Sequence, residues 1–268
     1  MIKRALVNLG VGAGVGLLAF LVSFGACAVA RAEEVRAKII GGDFFPSAAG
    51  WRVAFITSDS FYCSGVLVGE REVLTAAHCV VGTTTGELGV FVGGDWHSVE
   101  SSWYHPSYDR QVAPVRSARY DLGMLVLSAP VTGTSPFPIL RRKRVTRGST
   151  IYMAGYGANE RSDQPGRSFL DDFKIGASRL FDVSRGVLQG DHRAYRSSTC
   201  SGDSGGPATF FYKRNELAVV GILSAGTNKV IDNRCRLKHG GKFIYVDLQS
   251  ASSREFLAYF PGLRYVSR

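Results

Sequence analysis

Apolar residues in this chain come in short runs and near-alternations that stop at glycine-rich turns, and this spacing limits the fold more than any other feature. Trp51-Arg52-Val53-Ala54-Phe55-Ile56 and Leu217-Ala218-Val219-Val220-Gly221-Ile222-Leu223 are typical runs. Apolar runs of about four to eight residues between turn signals read as β-strands, because a helix needs apolar positions at helical spacing over a longer stretch. One segment alone has that spacing: Ser252-Ser253-Arg254-Glu255-Phe256-Leu257-Ala258-Tyr259-Phe260, with Ser252 as its expected N-cap. The expected class is all-β with a C-terminal α-helix. At 268 residues the chain has ample length for one large domain or two small ones, and it shows no internal repeat.

The N-terminus has the layout of a targeting segment. Lys3 and Arg4 precede an apolar stretch from about Leu9 to Ala30, which ends in Ala28-Val29-Ala30 and Ala30-Arg31-Ala32, two alternative cleavage points. Residues 1–32 are therefore expected to be a signal peptide that meets the membrane only in transit, giving a secreted or periplasmic product. The stretch is also long enough to span a bilayer, so a retained anchor is the alternative. A lipid-modified Cys27 is a weaker third option, since Phe24 fits a lipoprotein signal poorly.

Four cysteines remain once that segment leaves: Cys63, Cys79, Cys200 and Cys235. Four cysteines allow three pairings, and spacing does not choose among them. No CxxC pair or His-x-x-x-His spacing supports metal ligation, so an oxidising compartment is expected, with no metal and no organic cofactor. Asp95 and Glu100 are the acids that a calcium loop between Val92 and Glu100 would use, and two acids are thin support for one.

The net charge is +10 for the whole chain and +7 without residues 1–38, which hold five basic and two acidic side chains. Arg141-Arg142-Lys143-Arg144, with Arg147 nearby, reads as a solvated loop or as a patch for anionic surfaces or glycans. No aromatic interleaving or nucleic-acid motif accompanies it, so no nucleic-acid partner is expected.

Chemistry concentrates in Cys200-Ser201-Gly202-Asp203-Ser204-Gly205-Gly206-Pro207. A serine hydroxyl is a poor nucleophile unless it is exposed, has a base beside it and has donors for the oxyanion. Glycines around Ser204 allow a tight turn whose N–H groups converge. Upstream, Leu74-Thr75-Ala76-Ala77-His78-Cys79 ends in an imidazole beside a cysteine, and Tyr120-Asp121-Leu122-Gly123-Met124-Leu125-Val126-Leu127 places an acid at the mouth of an apolar strand. The order His78, Asp121, Ser204 is the chymotrypsin order of the triad.

On these motifs, from Ile39 to about Phe260, the chain resembles the trypsin/chymotrypsin family of serine endopeptidases. The resemblance implies two packed six-stranded antiparallel β-barrels and the C-terminal helix, with residues 39–147 in the first barrel and 148–268 in the second. It implies His78 as general base and then acid, Asp121 as its orienting carboxylate, Ser204 as nucleophile, and the Gly202 and Ser204 N–H groups as the oxyanion hole. Ser224 would hydrogen-bond near Asp121. Cys63-Ser64-Gly65-Val66-Leu67-Val68 resembles the strand lining the leaving-group side, and the implied disulfides are Cys63–Cys79 and Cys200–Cys235.

Lys38-Ile39-Ile40-Gly41-Gly42 resembles the family's activation site. Residues 33–38 would be a short propeptide, and cleavage after Lys38 would free an Ile39 ammonium to pair with Asp203. The specificity pocket implied by the alignment uses Ser198, Ser224, Gly226 and Gly241, a neutral floor with small walls that suits large apolar or aromatic side chains. A gap shifted by two residues would instead put Phe243 in the wall. Ala225 departs from the family's usual Trp, and the interval from Gly226 to Cys235 is longer than in simple members. The implied partners are protein or peptide substrates, an activating protease and a protein inhibitor, acting on a monomer. The alternative from another class is a catalytically silent binding protein on the same scaffold.

Overall fold

The computed structural model describes residues 43–44, 52–112, 117–142, 144–158, 173–191, 193, 197–227, 229–231, 234–236 and 241–267, with backbone alone for 43–44, 229–231 and 234–236. The expected signal and propeptide, with Lys38 and Ile39, lie outside the described residues, as does the Cys235 side chain. Among the described residues no helix is long and apolar enough to cross a membrane.

After a short strand β1 (Asp43–Phe44) come β2 (Val53–Thr57), β3 (Tyr62–Leu67), β4 (Glu72–Thr75), β5 (Gly89–Val92), β6 (Asp95–Tyr104) and β7 (Gly123–Leu127). These six, β2 to β7, close a barrel in the order β2-β3-β4-β7-β6-β5. Alternation decides what faces inward. In β5, Val90 and Val92 enter the core beside Ile56, Leu74 and Leu125, while Phe91 points to the outer face. Full burial of one such side chain contributes about 1.5–3 kcal/mol, so the alternating pattern fixes the register.

After β7 the chain reaches β8 (Ile139–Leu140), still within the first half, and the second half then contributes β9 (Thr150–Gly155), β10 (Lys174–Ser184), β11 (Val187–Asp191), β12 (Pro207–Lys213) and β13 (Glu216–Gly226). The small hairpin β14 (Lys229–Ile231) and β15 (Arg234–Arg236), then β16 (Lys242–Asp247) and β17 (Tyr265–Val266), complete the strands. The antiparallel order β12-β9-β10-β11-β16-β13 returns to β12 through the β12–β13 pairing, which makes a second closed six-stranded barrel. Its core holds Ile151, Met153, Leu188, Phe243 and Tyr245.

Several segments cross between the barrels. β1 pairs with β10, and β8 lies parallel to β13, so both join the second sheet. In return, Leu248, Phe256, Leu257 and Leu263 from the C-terminal region pack into the cluster that fills the first barrel, together with Val219, Ile222 and Val246.

The helix differs from its expected bounds. It spans Ala251–Leu257, and its cap is Ser250, whose hydroxyl accepts the Ser253 N–H at 3.2 Å. Ser252 lies inside the first turn, where its hydroxyl meets His105 Nε2 at 2.8 Å. The stretch considered for calcium is a hairpin: Gly93-Gly94 turn β5 into β6, the Asp95 carboxylate accepts the N–H of Trp96, and Glu100 pairs with Arg71.

Candidate active site

His78 sits within a 3-10 turn, Ala77–Cys79, into which β4 runs. Cys79 is bonded to Cys63 of β3, so the turn is tied covalently to the neighbouring strand. Asp121 follows another 3-10 turn, Ala118–Tyr120, at the entrance to β7, and is 3% exposed. Antiparallel pairing sets Thr75 opposite Gly123, so the residues just past those strand ends meet.

The meeting is specific. Asp121 Oδ2 lies 2.8 Å from His78 Nδ1, and Oδ1 accepts the His78 backbone N–H at 2.9 Å. Ser224 of β13 donates its hydroxyl to the same Oδ2 at 2.7 Å. An ionised carboxylate only accepts, so the ring proton belongs on Nδ1, and Nε2 of the neutral imidazole is left as the acceptor. Tyr108 stands near this carboxylate too: burial first, then the Asp121 charge, pushes its phenol up to about 12.

Ser204 occupies a turn just before β12, with Gly202 at φ +92° and Gly205 at φ +82°. Both values lie in the left-handed region open to glycine, and both glycines are also closely approached. A Cβ at Gly202 would overlap the Tyr62 ring, and one at Gly205 would overlap Thr75 Oγ1 and the Ser64 carbonyl oxygen. The fully buried Ser64 binds this turn to the first barrel. Its N–H donates to the Ser204 carbonyl at 2.7 Å, and its hydroxyl donates to the Gly202 carbonyl at 2.8 Å while accepting the Tyr156 N–H at 2.9 Å.

Cys79 Sγ packs 3.8 Å from the Ser204 carbonyl oxygen, a contact without a proton because the sulfur is in a disulfide. The Ser204 backbone therefore lies against the turn that carries His78. Among the described residues, the Ser204 hydroxyl makes no hydrogen bond, and the Gly202 and Ser204 N–H groups donate to none.

Asp203 is 1% exposed; its carboxylate accepts the N–H of Gly157 at 2.9 Å and of Cys200 at 2.8 Å. Burial, with Asp203 nearby, drives the Tyr245 phenol far above its usual range. Cys200 is disulfide-bonded.

Around the expected pocket, Ser197, Ser198 and Thr199 are fully buried and Gly241 is buried. Thr199, which no motif announces, stands beside Gly226: its hydroxyl lies 2.9 Å from where a Gly226 Cβ would be. Phe243 pairs with Gly226 in the β13–β16 ladder, yet its ring is in the barrel core, edge-on to Tyr245. Ser64, Tyr62 and Tyr108 are further site neighbours to which the motifs assign no role. Only the place of Ser64 in the strand that resembles the leaving-group side hints at any of them.

The sulfurs of Cys63 and Cys79 and the His78 ring lie within 4.8 Å of one another, a spacing found in metal sites. Here the sulfurs are bonded to each other and are not thiolates, so they make poor metal ligands.

Paired barrels, with a His–Asp couple from one and a serine turn from the other, define a chymotrypsin-type scaffold. A profile of the trypsin family matches residues 39–246, and the chain belongs to that family. It is similar to kallikrein-7 of Homo sapiens, 30% identical over 187 residues that cover 63% of this chain and 71% of that protein. It is similar to trypsin iota of Drosophila melanogaster, 29% identical over 219 residues covering 75% of this chain and 82% of the relative. Kallikrein-1E2 of Equus caballus is 28% identical over 64% of this chain and 75% of its own length. Among solved structures, neuropsin, a serine protease of mouse brain, superposes with a TM-score of 0.59 at 20% identity, covering 78% of this chain and 94% of that one, a likeness of fold.

Proposed function

We propose that this chain is a serine endopeptidase that cleaves peptide bonds through an acyl-enzyme on Ser204. The observation that carries the reading is the double hold of Asp121 on His78, through Nδ1 and through the backbone N–H. That hold fixes the tautomer in which Nε2 is basic. Nε2 takes the Ser204 proton as Oγ bonds to the substrate carbonyl carbon, and the carbonyl oxygen gains the negative charge. The N–H groups of Gly202 and Ser204 receive that oxyanion. His78 then protonates the leaving amine, the carbonyl re-forms, and water repeats the sequence with His78 again as base.

The activity is read as latent until the chain is cut after Lys38. The freed Ile39 ammonium would pair with Asp203 and settle the Gly202–Ser204 backbone; the burial of Asp203 supports this, since a buried carboxylate gains strongly from a cation. An α-amino group has an unperturbed pKa of about 7.7–8.0, raised by such a partner, so activity should fall reversibly at alkaline pH. The pocket is read as a slot for large apolar or aromatic side chains, floored by Ser198 and walled by Gly226 and Gly241, with Thr199 adding a hydroxyl. Signal removal would deliver the enzyme outside the cytoplasm.

A serine-directed phosphonate tests the reading. The protein cut after Lys38 should be labelled on Ser204 and should hydrolyse peptides, whereas Ser204→Ala should do neither. Undiminished hydrolysis by Ser204→Ala overturns the assignment, and a protein that is neither labelled nor active is a binding module on this scaffold.

A further inference from the structure

An aromatic row runs across the outer face of the first barrel and ends at the turn that holds Ser204. Tyr62 lies against Gly202 and is 42% exposed. Its ring stacks on Phe55 at 6.0 Å, and Phe55 meets Trp96 edge-on at 6.3 Å. Phe91 packs against Trp96 at 5.5 Å, and pairing from β2 through β5 to β6 sets Phe55, Phe91 and Trp96 side by side. Trp96 is 47% exposed at the far end. The row is built from strands, so its rings are held by the ladder; exposed loops would hold them less firmly.

Two exposed rings joined through a buried one form a track whose near end touches the proposed oxyanion turn. The strand that begins at Tyr62 resembles the one that lines the leaving-group side. Resting on the endopeptidase reading, we propose that this row binds the substrate segment on the C-terminal side of the scissile bond, and that Trp96 selects an aromatic or large apolar side chain there. The ring-to-ring steps place Trp96 at most about 12 Å beyond Tyr62, which an extended chain covers in about four residues. The favoured ring therefore lies about four to six residues past the cut, well outside the pocket that reads the residue before it.

Acyl transfer to added peptides isolates this surface, because the attacking α-amino group fixes the register. The peptide nitrogen bonds to the acyl carbon, the Ser204 Oγ–acyl bond breaks, and the amine proton passes through His78 to Oγ. A short peptide ester supplies the acyl-enzyme, and alanine-rich peptides with one Phe moved along them compete with water. The expected result is a preference of about three- to tenfold when Phe sits about four to six residues from the amino end, the range for one aromatic contact. Trp96→Ala should abolish that preference and Trp96→Phe should restore most of it, each normalised to ester hydrolysis by the same variant. Ester turnover with no dependence on Phe position, or with a dependence that survives Trp96→Ala, overturns the row and leaves the endopeptidase reading standing. Absence of ester turnover after cleavage following Lys38 overturns both.

Discussion

Ser64 and Gly202 are joined by a 2.8 Å hydrogen bond although 138 positions separate them in the chain. The same hydroxyl accepts the Tyr156 N–H, so one buried side chain ties the serine turn to both barrels. Ser64→Ala strips a partner from each of two buried backbone groups and should cost about 1–3 kcal/mol of stability by urea unfolding. If about 1.4 kcal/mol of that falls on the transition state, kcat drops about tenfold with KM little changed. An unchanged kcat would show that the turn holds its shape without this bond.

The Asp121 carboxylate accepts from three donors, and an amide cannot replace it. Asp121→Asn turns one acceptor into a donor and permits the wrong histidine tautomer, with an expected fall in kcat of about four orders of magnitude. Ser224→Ala removes a single donor and should cost about ten- to 150-fold at most, since one bond to a charged group contributes about 1.5–3 kcal/mol. Steady-state kinetics on one ester would rank the two, and a Ser224 effect as large as that of Asp121 would contradict this account.

The Cys63–Cys79 bond closes a segment with a sequence separation of 16 and ends beside His78. Replacing both by serine should lower the unfolding free energy by about 3 kcal/mol, from loop entropy alone. Activity should suffer as well, because the turn at Ala77–Cys79 loses its tether. Parallel urea titrations and ester assays would separate the two effects.

Much of this site is legible in the chain because its chemistry is local. His78 and Ser204 each sit in a short motif whose neighbours are small or able to cross-link, and short apolar runs such as Val53-Ala54-Phe55-Ile56 announce the barrel staves. What stays hidden depends on contacts between distant segments. Ser64 is one serine among many until the barrels close and bury it against Gly202. Thr199 gains its place only when β13 brings Gly226 beside it. The helix cap lies two residues before the expected one because Ser250, Ser252 and Ser253 are equally good caps on paper, and His105 claims Ser252.

His105 makes acid a second probe. Its ring lies between Tyr120 and Phe256, accepts the Ser107 N–H on Nδ1, and meets Ser252 through Nε2, an arrangement for the neutral imidazole. Burial holds its pKa below the usual 6.5, against smaller opposing effects from Ser252 and Glu255. The unfolded chain therefore takes up the proton first, and the stability this site contributes is complete above about 6.5 and lost as pH falls toward the folded value. Urea unfolding at successive pH values below neutrality should show this slope in the native protein and a shallower one in His105→Gln; equal slopes would remove His105 as the cause.

Val219, Ile222 and Val246 belong to the same apolar cluster as Leu74 and Leu125, and main-chain ladders at β1 and β8 stitch across the boundary. Swinging the halves apart would wet that interior and tear those ladders. The two barrels are therefore held as one body, and their relative placement is set by packing as much as by the chain that connects them.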